Sequence, residues 1–159
     1  AGVLSWRWRV DLAPAGTDLR HKSGDDSALK VCALFDMPLA HVPFFERQLL
    51  RLASWRTGEK LPTATLCYVW DDRLPQDALL HNAYTHRVRL IVAHGTRGSW
   101  RDERRDLAHD FRRAFGDEWR DTEATPPLAA ILIGADSDNT GSRSLGYVSN
   151  LQHTPAARR

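Results

Sequence analysis

Between residues 4 and 11 apolar and charged side chains alternate strictly: Trp6, Trp8 and Val10 fall on one side, Arg7 and Arg9 on the other. A period of two belongs to a β-strand with one face buried and one in water. Two tryptophans on the buried side also demand a second layer broad enough to cover them. Similar runs recur. Residues 28–36 place Leu29, Val31, Ala33 and Phe35 on one face. Residues 64–71 set Leu66, Tyr68 and Trp70 against Cys67 and Val69, so both faces are expected to be at least partly buried. Residues 87–93 oppose Val88, Leu90 and Val92 to Arg87 and Arg89. Residues 128–134 are too apolar for the surface, and residues 144–151 form a last short strand.

Two segments break the period. In residues 44–56, Phe45, Leu49, Leu52 and Ala53 recur at helical spacing, with Pro43 suited to a first turn and Gly58 to a stop. This reads as a surface helix packed by that stripe on its own domain, in preference to a basic amphipathic helix lying on a membrane. In residues 103–115, Leu107, Phe111 and Phe115 recur every four residues, with Gly116 just beyond, and predict a second helix. Residues 17–27 and 71–86 read as loops. Short strands, long turn-rich connections and no regular strand-helix alternation predict a mainly β fold. The expected architecture is an antiparallel β-sandwich, jelly-roll-like, with two inserted surface helices. A chain of 159 residues fits one domain, assigned to residues 1–153, with residues 154–159 as a frayed tail.

Composition narrows the function. Basic character is almost all arginine, dispersed and interleaved with acids, and the net charge is only +2. A nucleic-acid binder concentrates its basic residues on one element, so nucleic acid is not expected as a partner. No run is long and apolar enough for a membrane-spanning helix. Cys32 and Cys67 lie in separate strands without metal-ligand spacing, and with nothing in the sequence to fix their register they are read as free thiols. No phosphate loop, dinucleotide fingerprint or nucleophile motif is present.

One loop carries candidate chemistry. Asp136, Asp138 and Thr140 at alternate positions, followed by Gly141, match the first half of a calcium-binding EF-hand loop. The closing glutamate of that loop is replaced by Tyr147. Calcium at Asp136 and Asp138, completed by distant oxygens such as Asp25 and Asp26, stands beside a turn in which Asp138 and Asn139 bond their own backbone. Two carboxylates this close need a counter-charge, and the missing closing acid favours an arginine or a hydrogen-bonded turn over a tight metal site. The candidate ligand-binding set is Asp25, Asp26, Asp136, Asp138, Asn139 and Thr140. Four apolar runs end in aspartate, at Asp11, Asp36, Asp71 and Asp136, but antiparallel strands end alternately at opposite ends, so not all four can meet. Arg7, Arg9, Arg87 and Arg89 would form a basic face if their strands were neighbours, and a solvated face paired with acids otherwise. Trp6, Trp8 and Trp70 are expected in the core, and Trp55, Trp100 and Trp119 at the surface.

The pieces Trp6-Arg7-Trp8, Leu66-Cys67-Tyr68-Val69-Trp70-Asp71, Asn82-Ala83-Tyr84-Thr85, Arg104-Arg105-Asp106-Leu107 with Phe111 to Gly116, and Asp136 to Thr140, in this order, resemble a bacterial domain-of-unknown-function family whose members are mostly exported. The resemblance spans residues 6–147. It implies a jelly roll similar to carbohydrate-binding modules and a periplasmic or secreted setting, and it implies no activity. It also implies further sequence before the WRW strand, so that strand is expected to present an open edge, or one paired with another chain. Where tyrosine, glycine and aspartate are expected near the end, this chain has Tyr147-Val148-Ser149-Asn150.

The resulting expectation is a non-catalytic β-sandwich of the cell envelope that binds a glycan or a protein partner. The alternatives are a polysaccharide hydrolase or lyase using strand-end aspartates, and a subunit of a larger assembly.

Overall fold

The computed structural model describes residues 1–58, 61–120 and 124–157. Strands β1 (Gly2–Leu12), β2 (Lys30–Phe35), β3 (Ala64–Asp71), β4 (Leu79–His81), β5 (Val88–His94), β6 (Arg101–Asp106), β7 (Leu128–Gly134) and β8 (Leu145–Pro155) form two layers. Helix α1 (Phe44–Thr57) follows β2 and helix α2 (Leu107–Phe115) follows β6. One sheet has the order β6-β1-β8, the other β4-β5-β3-β2-β7. The result is the expected mainly β sandwich with two helices. One pair departs from the antiparallel expectation: β3 and β5 run parallel. The stretch read as a loop, residues 71–86, contains β4, which pairs antiparallel to β5 and provides the reversal that lets β5 re-enter beside β3.

The alternation in β1 does what its period requires. Leu4, Trp6, Trp8 and Val10 are buried, and they face Val31, Ala33 and Phe35 of β2, Leu66, Tyr68 and Trp70 of β3, and Ile91 and Ala93 of β5 in one continuous core. Trp6 meets Trp8 edge-on at 5.3 Å and Tyr68 at 5.2 Å, separations at which aromatic pairs attract beyond simple burial. Helix α2 closes the core with Leu107, Phe111, Ala114 and Phe115. Its N-cap Asp106 accepts from the backbone of Ala108 and His109, and Tyr68 donates to buried Asp110 at 2.9 Å. The outer face of the larger sheet is covered too, because Leu19 packs on Cys32, Cys67, Val69, Leu90 and Val92.

Several expectations are corrected. β1 is no open edge: it pairs with β6 on one side and β8 on the other. The neighbour was hidden in residues 101–106, whose charges suit an edge strand and whose sequence ran straight into the helical period; the second helix begins at Leu107, not at residue 103. β8 extends through Thr154 and Pro155, which are therefore not frayed; residues 158 and 159 of the expected tail lie outside the described residues. β7, the most apolar strand, is an exposed edge, with Leu132 and Ile133 nearly half accessible. Helix α1 turns Phe45, Leu49 and Leu52 to solvent, with Phe45 82% exposed, and packs by Leu50 instead.

Cys32 and Cys67 are directly opposed in β2 and β3 and are joined by a disulfide. They are not free thiols. Arg87 and Arg89 share no face with Arg7 and Arg9. Both are buried, Arg87 paired with Glu46 and Glu118, and Arg89 with Asp117 at 3.0 Å and Glu118 at 3.1 Å. Arg7 pairs with Asp102 and Arg9 with Asp11, the ordinary solvated arrangement. Trp119 is buried against Phe111, whereas Trp55 and Trp100 are exposed.

Candidate functional site

Three segments distant in sequence converge on one corner: residues 22–26 before β2, residues 82–85 between β4 and β5, and residues 136–142 after β7. Asp26 organises it. One of its carboxylate oxygens accepts the Asn139 N–H at 3.1 Å, and the other accepts the Thr140 N–H at 2.8 Å and the Thr140 hydroxyl at 2.5 Å. Burial opposes the charge on Asp26. The bonds from Thr140 and Asn139, with the field of Lys30, outweigh it and hold the carboxyl below its ordinary range. The acidic loop is thereby pinned, and Gly141 turns it at φ 61°, a left-handed conformation that glycine adopts without strain.

The second tie comes from the turn after β4. Asn82 accepts from the backbone of Tyr84 and Thr85, ordering the turn, and donates its amide to Asp25 at 2.8 Å. The Tyr84 hydroxyl donates to the Lys22 carbonyl at 3.2 Å and accepts from the Asn139 amide at 2.8 Å; that amide also reaches the Lys22 carbonyl at 2.7 Å. Lys22 Nζ stands 5.2 Å over the Tyr84 ring, within cation–π range. The ring remains 58% exposed. Burial raises the pKa of Asp25, against the pull of Asn82 and Lys30. The hydrogen bond between Asp138 and Asp136, and then the charge of Asp136, raise that of Asp138.

All six residues singled out in the sequence therefore lie in or beside this corner: Asp25, Asp26, Asp136, Asp138, Asn139 and Thr140. Sequence reasoning missed Asn82, Tyr84, Lys22 and Lys30 as members. The Asn82-Ala83-Tyr84-Thr85 segment was the available signal, a turn-forming asparagine with an aromatic residue in a polar loop.

The acidic loop and Asp26 bring three carboxylates together. Carboxylate oxygens of Asp26, Asp136 and Asp138 all lie within 4.8 Å of one another. Calcium takes six to eight oxygens, and Asp26 already accepts three hydrogen bonds, while Lys30 Nζ lies 3.9 Å from Asp136. The counter-charge beside Asp136 is a lysine, with backbone donors on Asp26, and not an arginine, and a cation here would compete with both. The strand-end aspartates divide between the two ends of the larger sheet. Asp36 lies at the end of β2 opposite Lys30, whereas Asp71 and Asp136 follow strands that end near Lys30. Asp11 reaches the latter end as well, since the 95–98 turn bonds both Val10 and Asp71. Asp11 is held by Arg9, and Asp71 accepts the N–H groups of Arg73 and Leu74. A separate cleft of about 750 Å³ lies between α1 and the end of β2, lined by Met37, Leu39, Leu50, Trp55 and Leu61. No member of the acidic corner lines it.

No curated protein and no solved structure matches the chain. The model of a family described as a protein of unknown function, DUF3047, matches residues 1–152, and the chain belongs to that family.

Proposed function

We propose that this DUF3047 domain is a non-catalytic binding module whose ligand is a glycan, held at the corner built by Lys22–Asp26, Asn82–Thr85 and Asp136–Thr140. The observation that carries the reading is Tyr84: an exposed ring fixed at its hydroxyl by Lys22 and by Asn139 of the acidic loop, in the turn that Asn82 ties to Asp25. A tyrosine with its polar tip already engaged offers a rigid apolar face for a sugar ring. The amides and carboxylates around it are acceptors and donors for hydroxyls. The Cys32–Cys67 disulfide supports a periplasmic or secreted setting, since such bonds persist where the surroundings are oxidising.

The hydrolase and lyase alternative has less support. Carboxylate oxygens of Asp136 and Asp138 lie within 4.8 Å of each other, closer than the roughly 5 Å or more that separates glycosidase carboxyls.

The experiment is calorimetry against a panel of neutral and acidic oligosaccharides. The expected result is saturable binding that Tyr84→Ala weakens by about tenfold or more and that Tyr84→Phe largely keeps. Failure of every oligosaccharide at millimolar concentration, binding indifferent to Tyr84→Ala, or turnover of a polysaccharide lost in Asp136→Ala would overturn the reading.

A further inference from the structure

Each sheet ends in two edge strands, and the most apolar of the four is β7. Its inner side pairs with β2, from Lys30↔Gly134 to Phe35↔Leu128, and its outer side has no strand among the described residues. In an antiparallel ladder, successive residues alternately direct their backbone groups to one neighbour and the other. The Trp70 N–H bonds Leu29, so the odd-numbered residues of β2 serve β3. The Asp36 N–H bonds Pro127, so the even-numbered ones serve β7. Through the register, Ala130, Leu132 and Gly134 bond β2, and the N–H and C=O groups of Ile131 and Ile133 point outward.

Apart from the register shift between Ala130 and Leu128, this edge lacks the charges and prolines that normally protect one. Residues 128–135 contain no charge and no proline. Leu132 is 45% and Ile133 48% exposed, on opposite faces of the strand. Ile131 and Leu128 are only partly buried where they meet the core rim.

We propose that β7 pairs with β7 of a second copy of this chain, antiparallel about a two-fold axis at Leu132, joining the two five-stranded sheets into one. The strand is its own complement in that register. Ile131 of one copy meets Ile133 of the other and the reverse, so the outward-facing backbone groups of both bond reciprocally. Leu132 meets its own mate in the non-hydrogen-bonded position, where side chains approach most closely. Ala130 falls opposite Gly134, a small pair that lets the backbones close. Each contact recurs in the other copy, as an isologous interface requires. No like charges meet.

The test is sedimentation equilibrium over about a hundredfold range of concentration, on the wild type and on Leu132→Lys and Leu132→Glu, each checked for a native circular dichroism spectrum. The expected result is a concentration-dependent dimer, lost in either variant alone because like charges meet on the axis, and regained on mixing the two. A wild type that stays monomeric across the range overturns the proposal. So does a dimer that survives both substitutions, or one that survives them and is lost in Phe45→Ser, which would set the interface on α1. These outcomes are independent of glycan binding.

Discussion

Cys32 of β2 and Cys67 of β3 occupy directly opposed positions, Cα atoms 4.0 Å apart, in a pair whose backbone groups point away from each other. Side chains come nearest at such non-hydrogen-bonded pairs. The bridge closes a loop with a sequence separation of 35 that contains α1. Loop-closure entropy gives the bond roughly 3–4 kcal/mol. Reduction, or the double change Cys32→Ala and Cys67→Ala, should lower the denaturation midpoint accordingly, and thiol titration of the unfolded, unreduced protein should return no free thiol.

Asp26 holds three donors from the acidic loop, and hydrogen bonds to a charged group are worth more than neutral ones. Asp26→Ala should cost about 2–3 kcal/mol. Its folded pKa lies below the unfolded value of about 3.9. The stability it adds is therefore complete above that value and is lost as pH falls through the folded pKa. Asp25 and Asp138 are shifted upward and act with the opposite sign, binding protons more tightly when folded. Melting temperature followed into acid should fall for the wild type and fall less steeply in Asp26→Asn.

Glu118 is shared by two buried guanidiniums, those of Arg87 and Arg89. Removing it leaves both under-compensated in the core, and breaking a buried ion pair from one side costs about 3–5 kcal/mol. Glu118→Ala should show that loss in urea unfolding. Asp117, bonded to Arg89 but mostly exposed, should lose less than about 1 kcal/mol on the same change.

The strands that bury one or both faces were legible because their period is a direct record of burial: Trp6, Trp8 and Val10 in β1, and Leu66, Tyr68 and Trp70 in β3. Neighbour identity was not legible. β6 exposes Asp102 and Arg104 on its wet face and turns Glu103 and Arg105 inward as an ion pair, so this charged edge strand leaves no apolar period to read. Cys32↔Cys67 is a fact of register, which depends on strand order and not on either strand's own sequence. Asp25, Asp26 and the acidic loop were found through residue type and spacing. Tyr84 was missed because its role arises from a contact with Asn139 made across 55 residues.

The apolar stripe of α1 bears on how the helix is held. Phe45, Leu49 and Leu52 are all more than half exposed, so truncating them removes little burial, whereas Leu50 packs on the core. Phe45→Ser and Leu49→Ser should each change stability by less than about 0.5 kcal/mol. Leu50→Ala should cost more, about 1–2 kcal/mol for a half-buried leucine. Equal losses at Leu49 and Leu50 would show that the stripe is covered in solution.

The acidic loop offers the sharpest test of whether hydrogen bonds or a cation hold it. Asp26 is committed to Asn139 and Thr140, Asp136 has Lys30 within reach, and the close approach of Asp136 raises the pKa of Asp138. A calcium ion would have to take oxygens of Asp26 already bonded to N–H and O–H groups and to displace Lys30 from Asp136. At a concentration a hundredfold above its dissociation constant, a bound ion adds about 2.7 kcal/mol, which is several degrees of melting temperature for a domain of this size. Chelator-treated protein is expected to give no saturable heat with calcium and to shift its melting temperature by less than about 1 °C at millimolar calcium. A saturable heat with a stabilisation that disappears in Asp138→Ala would instead mean that the loop re-forms around the ion and releases Asp26 from Thr140.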